Sequence, residues 1–146
     1  MRTILISVLL LTLIGYAPQA RAGDKIGAVL YKSPECSCCE QYADYLRDNG
    51  FEVTVRPTED LSLIKEMNGV PDGFEGCHTT LVDGYVIEGH VPVDSVNRLL
   101  AERPDVTGIS LPGMPEGAPG MTGSKSEPFV IYDFAPGRRP SVFAVE

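Results

Sequence analysis

The chain has 146 residues, 12 Lys and Arg against 20 Asp and Glu, a formal charge of -8 at pH 7, and four cysteines. That length supports one compact domain with a real core, not two. An acidic chain lacks the Lys and Arg density that nucleic acid and anionic lipid demand, and is compatible with handling cations.

Arg2 opens the chain, an apolar run follows from Ile4 to Ile14, and Ala20-Arg21-Ala22 gives a small-x-small ending. This predicts a secretory signal peptide over residues 1–22, cleaved after Ala22. A membrane anchor is the competing reading, but Ser7, Thr12 and Gly15 interrupt a run that a span needs unbroken for about 18 residues. Removing the segment takes away Arg2 and Arg21 and no acidic residue, so the remainder is more acidic still. The expected location is periplasmic, with a mature form not embedded in the membrane. There, thiols pair unless a metal or a reductant holds them reduced.

Ile26-Gly27-Ala28-Val29-Leu30-Tyr31 is short, apolar and rich in β formers, which predicts a buried strand between Lys25 and Lys32. Cys36-Ser37-Cys38-Cys39 follows at once. Ser33 before Pro34, or Ser37 with Glu40 three residues on, supplies a helix start. Cys39, Tyr42, Ala43, Tyr45 and Leu46 recur at three and four, and Asn49-Gly50 stops the helix, which is expected over about 37 to 48. Phe51-Glu52-Val53-Thr54-Val55 alternates as a second strand, completing a βαβ unit with parallel pairing.

A second helix is expected from Asp60 to Asn68, with Leu61, Ile64 and Met67 on one face. Thr79-Thr80-Leu81-Val82 and Tyr85-Val86-Ile87-Glu88 flank Asp83-Gly84, a strong type I′ hairpin signal. This puts Cys77 and His78 at the start of one strand and His90 just past the end of its partner. Val93, Val96, Leu99 and Leu100 mark a third helix, closed by Arg103-Pro104. The stretch 111–121 is too rich in Pro and Gly for regular structure. Phe129 to Phe134 and Ser141 to Val145 predict a terminal hairpin around Pro136-Gly137. Tyr31, Tyr42 and Tyr85 read as core residues.

The order β-α-β-α-β-β-α is that of a thioredoxin-like α/β domain, assigned to residues 23–104, with residues 105–146 as a Pro/Gly/Met loop and C-terminal β-hairpin packed on it. In such domains an X-Pro pair enters the third strand opposite the active cysteines. Cys77-His78 stands at that distance, so Cys77 is expected to face Cys36 and Cys39.

Cys36-x-Cys38-Cys39, Cys77-His78, Gly84 to Pro92 and Pro112-Gly113-Met114-Pro115 together closely resemble a family of small exported bacterial proteins of unknown function, the DUF411 type. The likeness spans about Lys25 to Met121. Members are often labelled metal-binding, and copper is the metal most often suspected. Ser37 stands where members commonly have Gly, a small-for-small change.

A helix N-terminus carries about half a positive charge and favours thiolates, which metals and disulfide exchange both need. Soft thiolates select Cu(I) or Zn(II). Structural zinc sites show two spaced pairs of ligands, a pattern absent here, whereas Cu(I) accepts two or three compressed soft ligands. The expected ligands are therefore Cys36, Cys38, Cys39, Cys77 and His78, with Cu(I) ahead of Zn(II). His90, Met114 and Met121 are further candidates with plainer readings, the histidine as a turn residue and the methionines as apolar plugs. The expected role is a carrier or buffer, not an enzyme, with a metal ion and another periplasmic copper protein or transporter as partners and no nucleic acid. One rival is a thiol-disulfide oxidoreductase using Cys36 and Cys39, although His78 occupies the place where such enzymes carry a cis-proline. Another is a disulfide-stapled binding module, with Cys36 bonded to Cys77 and Cys39 packed in the core.

Overall fold

The computed structural model describes residues 25–146, so the expected signal peptide and its cleavage point lie outside the described residues. Among the described residues, no helix is long and apolar enough to cross a membrane.

Strand β1 (Ile26–Lys32) leads into helix α1 (Ser37–Asp48) and then β2 (Phe51–Pro57), which pairs parallel to β1. The helix buries Cys39, Tyr42, Ala43 and Leu46, four of the five residues its apolar spacing marked, and leaves Tyr45 half-buried. Its start differs from both expected capping arrangements: Cys36 is the N-cap, and no side chain caps it. The turn is organised from below by Lys32, which is 2% exposed. Its ammonium donates to the carbonyls of Ser33, Pro34 and Cys36 at 3.3, 3.0 and 3.2 Å and pairs with Glu40 at 3.1 Å. A buried charge needs such partners, and by taking them it pins the cysteine turn to the end of β1.

Helix α2 (Leu61–Met67) is one residue shorter at each end than expected and buries no residue. Leu61, Ile64 and Met67 do not form a core stripe, and Met67 is 73% exposed. Two turns are too short to lay an apolar stripe along the sheet, and the helix is tied instead by Lys65, which donates to Thr79 and Glu88.

Strands β3 (His78–Val82) and β4 (Tyr85–Glu88) form the expected hairpin, with Asp83 at φ 48° and Gly84 at φ 86°. Helix α3 (Val93–Glu102) buries Ser95, Val96 and Leu99. Sequence reading passed over β5 (Gly108–Ser110), which pairs parallel to β4. Three residues are too few to display a period. Gly108 permits the pairing, since a Cβ there would lie 2.0 Å from the Val86 carbonyl oxygen. Strand β5 carries the terminal hairpin of β6 (Val130–Phe134) and β7 (Ser141–Val145), giving the order β2-β1-β3-β4-β5-β6-β7. The first four strands with α1 and α3 make the expected thioredoxin-like arrangement, and the last three extend its sheet.

Of the three tyrosines read as core, Tyr42 is fully buried, while Tyr31 and Tyr85 are half-buried. The Tyr42 hydroxyl donates to the Val91 carbonyl at 2.8 Å, and the Tyr45 hydroxyl accepts the Val93 N–H at 2.9 Å. These bonds hold the segment between β4 and α3 against α1. The Pro/Gly-rich loop returns over the start of the same helix. At Gly120 (φ 79°) an added Cβ would meet the Tyr42 nitrogen at 2.7 Å and the Cys38 carbonyl oxygen at 3.0 Å.

Tyr42→Phe keeps the ring but strands the buried Val91 carbonyl, so urea unfolding is expected to register a loss of about 1–3 kcal/mol. Gly120→Ala combines a positive φ with backbone overlap and is expected to lose about 1–3 kcal/mol in the same measurement. An unchanged midpoint in either variant would contradict the corresponding contact.

Candidate metal centre

Three ends of secondary structure meet at one point: the start of α1 with Cys36, Cys38 and Cys39, the start of β3 with Cys77 and His78, and the segment after β4 with His90. Cys36 and Cys39 are joined in a disulfide, one helical turn apart with Cα atoms at 5.5 Å. The staple between Cys36 and Cys77 is therefore not formed, because Cys36 takes the nearer partner on its own turn. Cys38 and Cys77 are free thiols. The Cys38 sulfur lies 3.5 Å from that of Cys36 and 3.8 Å from that of Cys77, and the Cys77 sulfur lies 3.5 Å from that of Cys39. All four sulfurs fall within 4.8 Å of one another, so Cys77 faces the helix cysteines.

Cys77 also belongs to a second group, with His78 and His90. Its sulfur lies 2.9 Å from His90 Nε2 and 3.4 Å from His78 Nδ1. His90 Nδ1 sits 2.7 Å from the Pro119 carbonyl oxygen. A carbonyl only accepts, so Nδ1 carries the proton and the Nε2 lone pair is directed at Cys77. An acceptor on one ring nitrogen fixes the tautomer and turns the lone pair of the other toward a fixed point. His78 is fully buried, and its Nε2 has no hydrogen-bond partner among the described residues. The two imidazoles meet edge to face with centroids 4.7 Å apart, and the Tyr42 ring packs on both.

Burial pushes the Cys77 thiol up to about 12, and Cys38 adds to the effect. The helix N-terminus was expected to favour thiolates, but at Cys77, across the gap from the helix, desolvation prevails. Burial also lowers both histidines. His78 falls well below the usual imidazole range, with His90 and Lys65 contributing in the same direction. The cluster thus presents neutral imidazoles with available lone pairs and a thiol that gives up its proton only to a strong competitor such as a metal cation. Sulfur and imidazole donors within 4.8 Å of one another suit a soft or borderline metal ion.

Met121 is half-buried on the core that includes Cys36, Cys38 and Cys77, on the loop whose Pro119 holds His90. Met114 is 55% exposed farther out on that loop. Sequence reading ranked His90 behind His78, and the structure brings it closer to Cys77. A signal existed: extending the Thr79 to Glu88 register by two positions sets Cys77 opposite His90. Nothing local marked Pro119 or Lys32. A surface cleft of about 690 Å³, lined by Phe74, Pro112, Phe129 and Tyr132 among others, contains none of the cysteines or histidines. The convergent donors are the stronger guide to chemistry.

Residues 74–121 match the family described as "Protein of unknown function, DUF411". Two solved structures of copper resistance protein CopG, forms 2 and 1, are similar to this chain with TM-scores of 0.78 and 0.77. Each is 34% identical, and the match covers 84% of this chain and 98% of theirs. Comparison with curated proteins gives no match. With that identity across nearly the whole of both structures, and the family's match over the segment that carries Cys77, His78 and His90, the chain belongs to the DUF411 family.

Proposed function

We propose that this is an exported copper-binding protein, a periplasmic carrier or buffer that holds Cu(I) at the cysteine cluster and passes it to another exported copper protein or a transporter. The observation that carries the reading is the convergence on Cys77 of three further sulfurs and two imidazoles drawn from three separate parts of the chain. The name of the two similar structures, copper resistance protein, points to the same metal. In the assignment of roles, Cys36, Cys38, Cys39 and Cys77 supply thiolates. His90 and His78 supply imidazole nitrogens, and the Met121 thioether, on the loop whose Pro119 holds His90, is a further candidate.

The disulfide sets a condition on loading. Opening Cys36–Cys39 takes two electrons and two protons, delivered by a dithiol reductant that becomes a disulfide in turn. The thiols then lose protons as Cu(I) binds. Thiolates suit Cu(I) and Zn(II) alike, and it is the name of the two similar structures that favours copper here.

The Cys36–Cys39 disulfide is also the observation that speaks for thiol-disulfide exchange with a substrate. Against that reading, the disulfide sulfurs have the Cys38 and Cys77 thiols within 3.5 Å. A disulfide opening here meets thiols of its own chain before those of another protein.

The reduced protein, titrated anaerobically with Cu(I) against a chromogenic chelator, is expected to compete strongly. Cys77→Ser is expected to weaken binding by more than about 100-fold, because Cys77 belongs to both donor groups and even an outer-shell change costs 10–100-fold. Weak binding that ignores Cys77→Ser would overturn the proposal. The same titration on protein left oxidised is expected to give clearly lower stoichiometry, and equal loading of both forms would remove Cys36 and Cys39 from the ligand set. Insulin reduction separates the rival: robust turnover lost in Cys36→Ser would favour the oxidoreductase.

A further inference from the structure

The reverse face of the site holds a polar network that copper ligation does not use. Glu88 is fully buried at the end of β4, two residues before His90. One carboxylate oxygen accepts the N–H of Gly76 at 2.7 Å and the Lys65 ammonium, and the other accepts the Thr79 hydroxyl at 2.7 Å. Lys65 also donates to Thr79 at 3.1 Å, which closes a ring of three side chains. Thr79 and Glu88 are cross-strand partners, and side chains alternate along a strand, so this ring lies on the face opposite His78.

Gly76 is the residue before Cys77, and its N–H is held by a carboxylate that belongs to the strand leading to His90. The backbones pass so close here that a Cβ on Gly76 would sit 2.5 Å from the Gly89 Cα. A carboxylate buried without compensation would be neutralised or expelled. Lys65, Gly76 and Thr79 supply that compensation. The three donors come from three elements: α2, the segment before β3, and β3 itself. Since α2 buries no residue, the polar tie through Lys65 is a main reason for its position.

We infer that Glu88, held by Lys65, is a positioning residue for the metal centre: it straps the segment bearing Cys77 and His78 to the one bearing His90 and so sets the Cys77 sulfur against His90 Nε2. The carboxylate suits this role because all of its partners are donors. In Glu88→Gln one oxygen becomes an NH₂ group, which faces a donor and carries no charge for Lys65.

This inference rests on the copper reading for its metal readout but not for its geometry, and the test has an arm for each. In the metal arm, reduced wild type, Glu88→Gln, Lys65→Met and Lys65→Arg are titrated anaerobically with Cu(I), following chelator competition and thiolate-to-copper ultraviolet absorption. Glu88→Gln and Lys65→Met are expected to weaken affinity by about 10- to 100-fold and alter the absorption, and Lys65→Arg to restore both. In the metal-free arm, maleimide labelling of Cys77 relative to Cys38, read by mass spectrometry of peptides, is expected to rise about tenfold or more in Glu88→Gln. If wild type binds no copper, the copper reading fails and the labelling arm alone decides the inference. Should Glu88→Gln not fold, the two Lys65 variants, which leave the carboxylate and its bonds to Gly76 and Thr79 in place, carry both arms. Folded variants that match wild type in affinity, absorption and labelling ratio would overturn the positioning role.

Discussion

The site depends on how closely the chain entering β3 passes the chain leaving β4. Gly76 makes that crossing possible, because a Cβ there would lie 2.5 Å from the Gly89 Cα, and Gly89 leaves room on its other side for Leu111, whose carbonyl oxygen would lie 2.6 Å from a Cβ. Gly89 further adopts φ 75°, which an L side chain resists. With both glycines in place, the next residues out, Cys77 and His90, come within 2.9 Å. The hairpin register delivers them to the same level, and the crossing brings them together.

The opposite wall of the site is held by groups outside the cluster of sulfurs and imidazole nitrogens. Lys32 gathers three carbonyls of the turn that carries Cys36, so the helix begins at a defined place without a side-chain cap. Tyr42 and Tyr45 join α1 to the segment from Val91 to Val93, and Pro119 orients His90 from a third direction. A buried cluster of polar donors is expensive unless its outer contacts are satisfied. Here the satisfied contacts lie on the outside, while the sulfurs, His78 Nε2 and the His90 lone pair are left turned toward one another or without a partner.

On the proposed reading, redox chemistry and metal binding draw on the same atoms. The disulfide between Cys36 and Cys39 removes two donors and leaves Cys38, Cys77 and the histidines. In an oxidising compartment the occupancy of the site would therefore follow the supply of reductant as well as that of metal. The acidic composition fits a protein that meets cations, although no carboxylate stands among the converging donors of the described residues.

The sequence by itself determined the cysteine cluster, the thioredoxin-like order of elements and most of their boundaries, because these are carried by short-range signals: five apolar residues at helical spacing in α1, Asp83-Gly84 in the hairpin, cysteines crowded at a helix start. Even the meeting of Cys77 with His90 was legible in principle, since a two-residue turn dictates every later pair in its register. Only the tertiary structure decided that Cys36 pairs with Cys39, that α2 is tied by Lys65 and not by its apolar spacing, and that β5 extends the sheet to receive the terminal hairpin. It also decided the surroundings of Lys32, Glu88 and Pro119: an ammonium on three turn carbonyls, a buried carboxylate on three donors, a carbonyl on His90. These contacts turn on burial and on partners brought near by folding, and a charged side chain or a loop carbonyl looks the same in a sequence whether it faces water or a buried partner.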